Sequence, residues 1–202
     1  MSGFYLALEG VEGSGKSTVG RLIVDRLGRR GIETRSVREP GGTELGEELR
    51  RLVLHSGDMA PWAEAALFAA SRAQLAVTVI APALADGRWV VSDRSYYSSL
   101  AYQGGGRGLG VEEVRLLNET VLDGVLPDLV AVLDVEPEVG FARETERDRI
   151  GQDGLELQHL VSRTYRELAA TDPRVMLVDA NATPEELAIG VLEACFERLG
   201  DV

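Results

Sequence analysis

A single lysine, Lys16, stands in the octet Gly10-Val11-Glu12-Gly13-Ser14-Gly15-Lys16-Ser17, followed by Thr18; every other strongly basic residue of the chain is arginine. The spacing matches G-x-x-x-x-G-K-[ST], a loop that wraps phosphate. Its glycines let backbone N–H groups point inward, and the N-terminus of a following helix adds partial positive charge where an anion sits. A compact ammonium fits such a loop, whereas the planar fork of arginine is too wide. Ser17 would offer its hydroxyl to a magnesium ion. Residues 10–18 therefore imply binding of a nucleoside triphosphate, provided that a strand enters the loop and a helix leaves it.

Both flanks have the required pattern. Phe4-Tyr5-Leu6-Ala7-Leu8 reads as a buried strand, and Val19 to Leu27 has helical periodicity. Further strands are predicted at Glu33–Arg38, Trp89–Ser92, Leu129–Asp134 and Val175–Asp179. Helices are predicted at Ser17–Leu27, Glu44–Leu54, Pro61–Ala85, Val111–Leu122, Pro137–Glu146, Leu155–Ala170 and Pro184–Leu199. Alternation of this kind implies an α/β fold on a five-stranded parallel sheet, and ligands on such sheets collect at the carboxyl ends of the strands.

Chemistry-bearing residues do follow the strands. Arg38-Glu39-Pro40-Gly41-Gly42-Thr43 comes after the second, and Asp93-Arg94 after the third. Asp93-Arg94 is either a surface ion pair or a phosphate clamp backed by a carboxylate. Phe68 and Arg72, four apart on one helix face, are either core with a snorkelling arginine or a pocket that stacks a base and reads its edge. Arg143, Arg147 and Arg149 form either a solvated face or a lid that brings positive charge to a transferring phosphoryl group. Two further turns, glycine-rich or charged, are expected at 103–108 and 143–154.

Composition narrows the field. The chain has 202 residues, enough for one domain with a small lid and a sizeable core, and a formal net charge of −12. Such acidity argues against a nucleic-acid partner, so the phosphate ligands should be a few arginines gathered at one site. Cys195 has no partner for a disulfide and lies on an apolar helical face, as a core residue would. The chain is expected to run straight into its first strand, without a charged and apolar leader. With no apolar run expected to approach membrane-spanning length, the reading is a cytoplasmic protein with no membrane partner.

Taken together, Glu9 to Thr18, Arg38-Glu39-Pro40-Gly41-Gly42-Thr43, Leu67-Phe68-Ala69-Ala70-Ser71-Arg72, and Asp93-Arg94 followed by Ser98 to Gly105 resemble the thymidylate kinase family, over about Phe4 to Ala170. That resemblance implies a P-loop kinase fold, ATP and dTMP as substrates, Mg²⁺ as cofactor and a homodimer built on the long helices. It implies that Glu12 lies near the acceptor's sugar and phosphate, and that Phe68 stacks on thymine while Arg72 reads its edge. Arg94 would hold the monophosphate, with Asp93 near the magnesium shell, and Arg38 would join the acceptor site. Ser98, Ser99 and Gln103 would line the base and sugar pocket, with Tyr102 against the sugar C2′. As in bacterial members, the loop carries Gly13 where eukaryotic members carry arginine. The catalytic arginines would then come from a lid at about 141–154, shorter than in bacterial relatives. Lys16, Arg94, Glu12, Arg143, Arg147 and Arg149 are the catalytic candidates, with Arg149 favoured in the lid because it lies in Asp148-Arg149-Ile150. Another pyrimidine monophosphate kinase is the nearest alternative, and a nucleotide-dependent switch a more distant one.

Overall fold

In the computed structural model, which describes residues 3–143 and 149–200, the five predicted strands form one parallel sheet. They are β1 (Tyr5–Glu9), β2 (Thr34–Arg38), β3 (Trp89–Asp93), β4 (Leu129–Asp134) and β5 (Val175–Asp179), in the order β2-β3-β1-β4-β5. β1 is central and buried throughout, pairing Leu8 with Asp93 on one side and with Ala131 on the other. Its all-apolar run up to Leu8 is what a strand covered on both faces needs.

Helices α1 (Lys16–Arg29), α2 (Glu44–His55) and α3 (Pro61–Leu75) follow in turn. α1 packs Val19, Ile23 and Leu27 into the core, the periodicity that the sequence displays. Thr43 caps α2 by accepting from the Gly46 N–H, and Pro61 opens α3 at a position where no N–H is required. Helix α3 continues through a π-helical turn, Ala76–Ile80, into α4 (Ala81–Ala85). An uninterrupted α-helix was expected over this span. Pro82 explains the difference: its ring lacks an N–H and would clash with a carbonyl one turn back, and a wider turn relieves both problems.

By length and mean hydropathy, Pro61–Ala85 is also long and apolar enough to cross a membrane. The expectation that no run approaches that length is corrected accordingly. The helix is apolar on two sides, one against the core and one exposed.

After β3 come α5 (Tyr96–Ser99), a second π-helical stretch (Leu100–Gly106) and α6 (Val111–Leu122). The segment 103–108, expected as a turn, is thus helical as far as Gly106. A Cβ on Gly105 would lie 2.0 Å from Thr164 Oγ1, so glycine there allows close packing on the helix that carries Thr164. The remaining helices are α7 (Pro137–Arg143), α8 (Gly154–Thr171) and α9 (Pro184–Gly200). The predicted end of α7 at Glu146 lies outside the described residues. Cys195 is fully buried, and burial pushes its thiol up to about 12.

Candidate active site

A cavity of about 540 Å³ opens at the carboxyl ends of β1, β2 and β3. At its floor Lys16 opens α1, and Gly15 before it adopts a left-handed φ of 95°. Lys16 Nζ donates to Gly10 O (3.1 Å), Val11 O (2.8 Å) and Ser14 Oγ (3.2 Å). The side chain is 7% exposed. Burial first, and then Arg94, lower its pKa to about 7 against the opposing pull of Asp93, Glu9 and Glu12. Glu12, Gly13, Gly15, Ser17 and Thr18 line the cavity with it, while Gly10, Val11 and Ser14 serve as its local ligands. Ser17 Oγ donates to Asp93 Oδ2 at 2.5 Å, joining the loop to the end of β3.

Arg94 adopts a left-handed φ of 73°, unusual for a residue with a Cβ. The turn is fixed on both sides: Arg94 N–H donates to Leu8 O (2.9 Å), and Ser92 Oγ donates to Arg94 O (2.5 Å). The guanidinium sits 5.1 Å from the Tyr102 ring centroid and donates to Ser98 Oγ. Burial alone would weaken its hold on the proton; Tyr102, Tyr165, Glu9 and Asp93 outweigh that and raise its pKa. No carboxylate lies within ion-pair distance of it among the described residues, so a charged donor faces the cavity ready for an anion.

Arg72 is 2% exposed. Its Nε donates to Glu39 Oε2 at 2.5 Å, one terminal nitrogen serves Ser99 and Asn118, and the other donates to Ser95 O. Four anchors hold the guanidinium rigid at the cavity wall, where Phe68, one turn earlier, also lies. Ser98, Ser99, Tyr102 and Gln103 line the same wall. Arg38 borders the cavity too, although its terminal nitrogen is engaged by Glu47 at 2.9 Å.

The lid arginines separate. Arg143 lines the cavity and makes no ion pair among the described residues. Arg147 lies outside those residues. Arg149 does not line the cavity: its terminal nitrogen donates to Glu64 at 2.6 Å and its Nε to Val53 O at 2.8 Å. Glu64 is almost fully buried, and a buried carboxylate draws the nearest guanidinium to itself. The preference for Arg149 over its neighbours is therefore not carried forward.

Several supporting groups are silent in the sequence. Glu9, fully buried, accepts from Ser95 N and Oγ, Ser98 N and Oγ, and Tyr165 Oη, tying the end of β1 to α5 and α8. Gln158 Oε1 accepts from the Glu12 N–H (3.2 Å) and from Tyr102 Oη (3.5 Å). Arg50 and Leu54 of α2 also line the cavity. Glu9 alone left a trace, as a charged residue closing an apolar strand.

A family model described as thymidylate kinase matches residues 8–189. The chain is 46% identical over 196 residues to a thymidylate kinase of Synechococcus sp. (strain JA-3-3Ab), covering 96% of each chain. It is 41% identical over 204 residues to one from Idiomarina loihiensis, covering 98% of this chain and all of that one. With one from Halothermothrix orenii the identity is 42% over 194 residues, covering 93% of each.

Proposed function

This chain belongs to the thymidylate kinase family, and from that premise we propose that it transfers the γ-phosphoryl group of ATP to dTMP, giving ADP and dTDP. The observation that carries this reading is one cavity lined both by Lys16 and Ser17 of the phosphate loop and by Phe68, Arg72 and Arg94. A triphosphate on the loop and a monophosphate at Arg94 would share that cavity.

ATP lies along the loop, its phosphates taking over Lys16 from the loop carbonyls and recharging the ammonium. The acceptor's thymine stacks on Phe68 with its edge toward Arg72, and its phosphate meets Arg94. Glu12 and Arg38 border the acceptor, and Tyr102 limits the space around the sugar. Because the attacking phosphate oxygen is already anionic, no side chain must act as a strong base. Catalysis is positioning and charge stabilisation. Arg143 supplies the additional positive charge at the transferring group, and its place on the cavity wall supports this role.

Ser17 Oγ and Asp93 Oδ2 are hard oxygen donors adjacent to the phosphate loop, the set that Mg²⁺ takes together with phosphate oxygens and water. Bound there, the ion would neutralise charge on the phosphates during transfer. A homodimer through α3 and α4 fits the exposed side of that helix, where Val77 is 65% and Trp62 49% exposed. A cytoplasmic location accords with a nucleotide-consuming reaction.

The test is a coupled ADP-release assay over dTMP, dUMP, UMP and CMP. The expected order puts dTMP first by a wide margin in kcat/KM, and a preference for CMP or UMP would overturn the acceptor assignment.

A further inference from the structure

Glu64 stands in the first turn of α3, 1% exposed, and no step above uses it. Its Oε1 accepts from Gln103 Nε2 at 2.8 Å and Arg107 Nε at 3.3 Å. Its Oε2 accepts from Arg107 at 3.2 Å and Arg149 at 2.6 Å. Burial alone would raise the pKa of this carboxyl, but hydrogen bonds from Gln103, Arg107 and Arg149 outweigh it and leave it below the usual carboxylate range. Glu64 is therefore anionic through the neutral range, and an ionised carboxylate can only accept.

The consequence falls on Gln103. A primary amide carries a donor end and an acceptor end of nearly the same shape, exchanged by one rotation. Opposite an acceptor-only neighbour, the NH2 end must turn to Glu64. The carbonyl Oε1 then takes no donor among the described residues and belongs to the cavity wall that Gln103 lines. Arg107 and Arg149 fasten Glu64 itself, Arg107 reaching on to Asp153 at 2.6 Å.

We propose that Glu64 is a positioning residue for base selectivity: by holding the Gln103 amide in one orientation it makes the pocket present an acceptor to the base edge. This rests on the reading of the cavity as a pyrimidine monophosphate site. Thymine and uracil carry an N–H at ring position 3 and meet that acceptor with a donor. Cytosine carries a bare nitrogen there, so two acceptors would face each other without water, an arrangement that binding sites reject strongly. If Gln103 were free to rotate, it would present its NH2 to cytosine and lose the distinction.

The experiment compares kcat/KM for dTMP and dCMP in wild type and Glu64→Gln, which keeps the shape at 64 but can donate as well as accept. The dTMP-to-dCMP ratio is expected to fall by about 10- to 100-fold, the cost of one unmatched buried polar group, with KM for ATP unchanged. Arg107→Gln loosens the same cluster and leaves the carboxylate facing Gln103, so its ratio should stay at the wild-type value even as its Tm drops. An unchanged ratio in Glu64→Gln overturns the proposal, as does an equal loss of selectivity in Arg107→Gln. Should Glu64→Gln not fold, side-chain amide NMR of the wild type serves instead: Gln103 NH2 protons protected from exchange support the proposal, and freely exchanging ones overturn it. A wild type that does not use dTMP defeats the acceptor reading itself, whereas normal dTMP turnover with an unchanged ratio defeats only the role of Glu64.

Discussion

Gly13 of the phosphate loop and Gly140 of α7 face each other so closely that neither can carry a Cβ. A Cβ on Gly13 would lie 2.1 Å from the Gly140 carbonyl oxygen, and one on Gly140 would lie 2.3 Å from Glu12 O. The loop therefore has no room for a side chain at position 13, and an arginine could not be supplied from there. Charge for the phosphoryl group must come from elsewhere, and α7 carries Arg143 at its far end. Gly140→Ala is expected to lower Tm by an amount equivalent to about 1–3 kcal/mol, because backbone must move to admit the methyl. It should raise KM for ATP more than KM for dTMP. Thermal unfolding and two-substrate kinetics check this; an alanine variant with wild-type Tm would mean that α7 and the loop are not in contact.

Lys16 gives a pH dependence. Its pKa in the folded chain is about 7, below the ordinary lysine value of 10.5. Between those values the unfolded chain binds more protons than the folded one, so this group makes stability rise with pH across that window. Lys16→Met should flatten that slope. Triphosphate binding restores the ammonium, so at pH 8 binding of ATP should take up a large fraction of one proton. Calorimetry in buffers of different ionisation enthalpy measures it, and Lys16→Met should abolish it together with at least ~10³-fold of kcat. Lys16→Arg should fail nearly as badly, and an arginine variant with normal turnover would refute the cradle geometry.

Arg143→Ala is expected to lower kcat by ~10²–10³ with little change in KM for dTMP, as for an interaction made mainly in the transition state. Arg149→Ala should behave differently. It removes a partner from buried Glu64, so the loss should appear in Tm, with kcat much less affected. Steady-state kinetics at saturating ATP and dTMP, beside thermal melts, separate the two. A large kcat loss in Arg149→Ala with unchanged Tm would reverse the assignment.

Phe68→Ala should raise KM for dTMP by an amount worth ~1–3 kcal/mol of stacking, with a smaller effect on KM for ATP. Tyr102→Ala should relax rejection of a ribonucleotide acceptor. It should also perturb Arg94, whose guanidinium rests against the Tyr102 ring. The readout is kcat/KM for dTMP against its ribose counterpart; equal losses for ATP and dTMP in Phe68→Ala would mean a packing role.

The sequence alone determined the parts of this protein that local chemistry dictates. Strand β1, the octet at residues 10–17 and α1 are legible because glycine spacing, apolar runs and helical periodicity are properties of neighbouring residues. The five-stranded parallel sheet follows from the same alternation. Tertiary structure decided what depends on contacts between distant segments. Phe68 and Arg72 could be read from their spacing as core or as pocket, and only the approach of Glu39, Ser95, Ser99 and Asn118 holds Arg72 at the cavity wall. Arg143 and Arg149 are the same residue type a few positions apart. Their separation, one at the cavity and one on Glu64, comes from a carboxylate far away in the chain. Proximity of that kind has no signature in residue order, because the cost of burying a charge is settled only when folding brings its partner near.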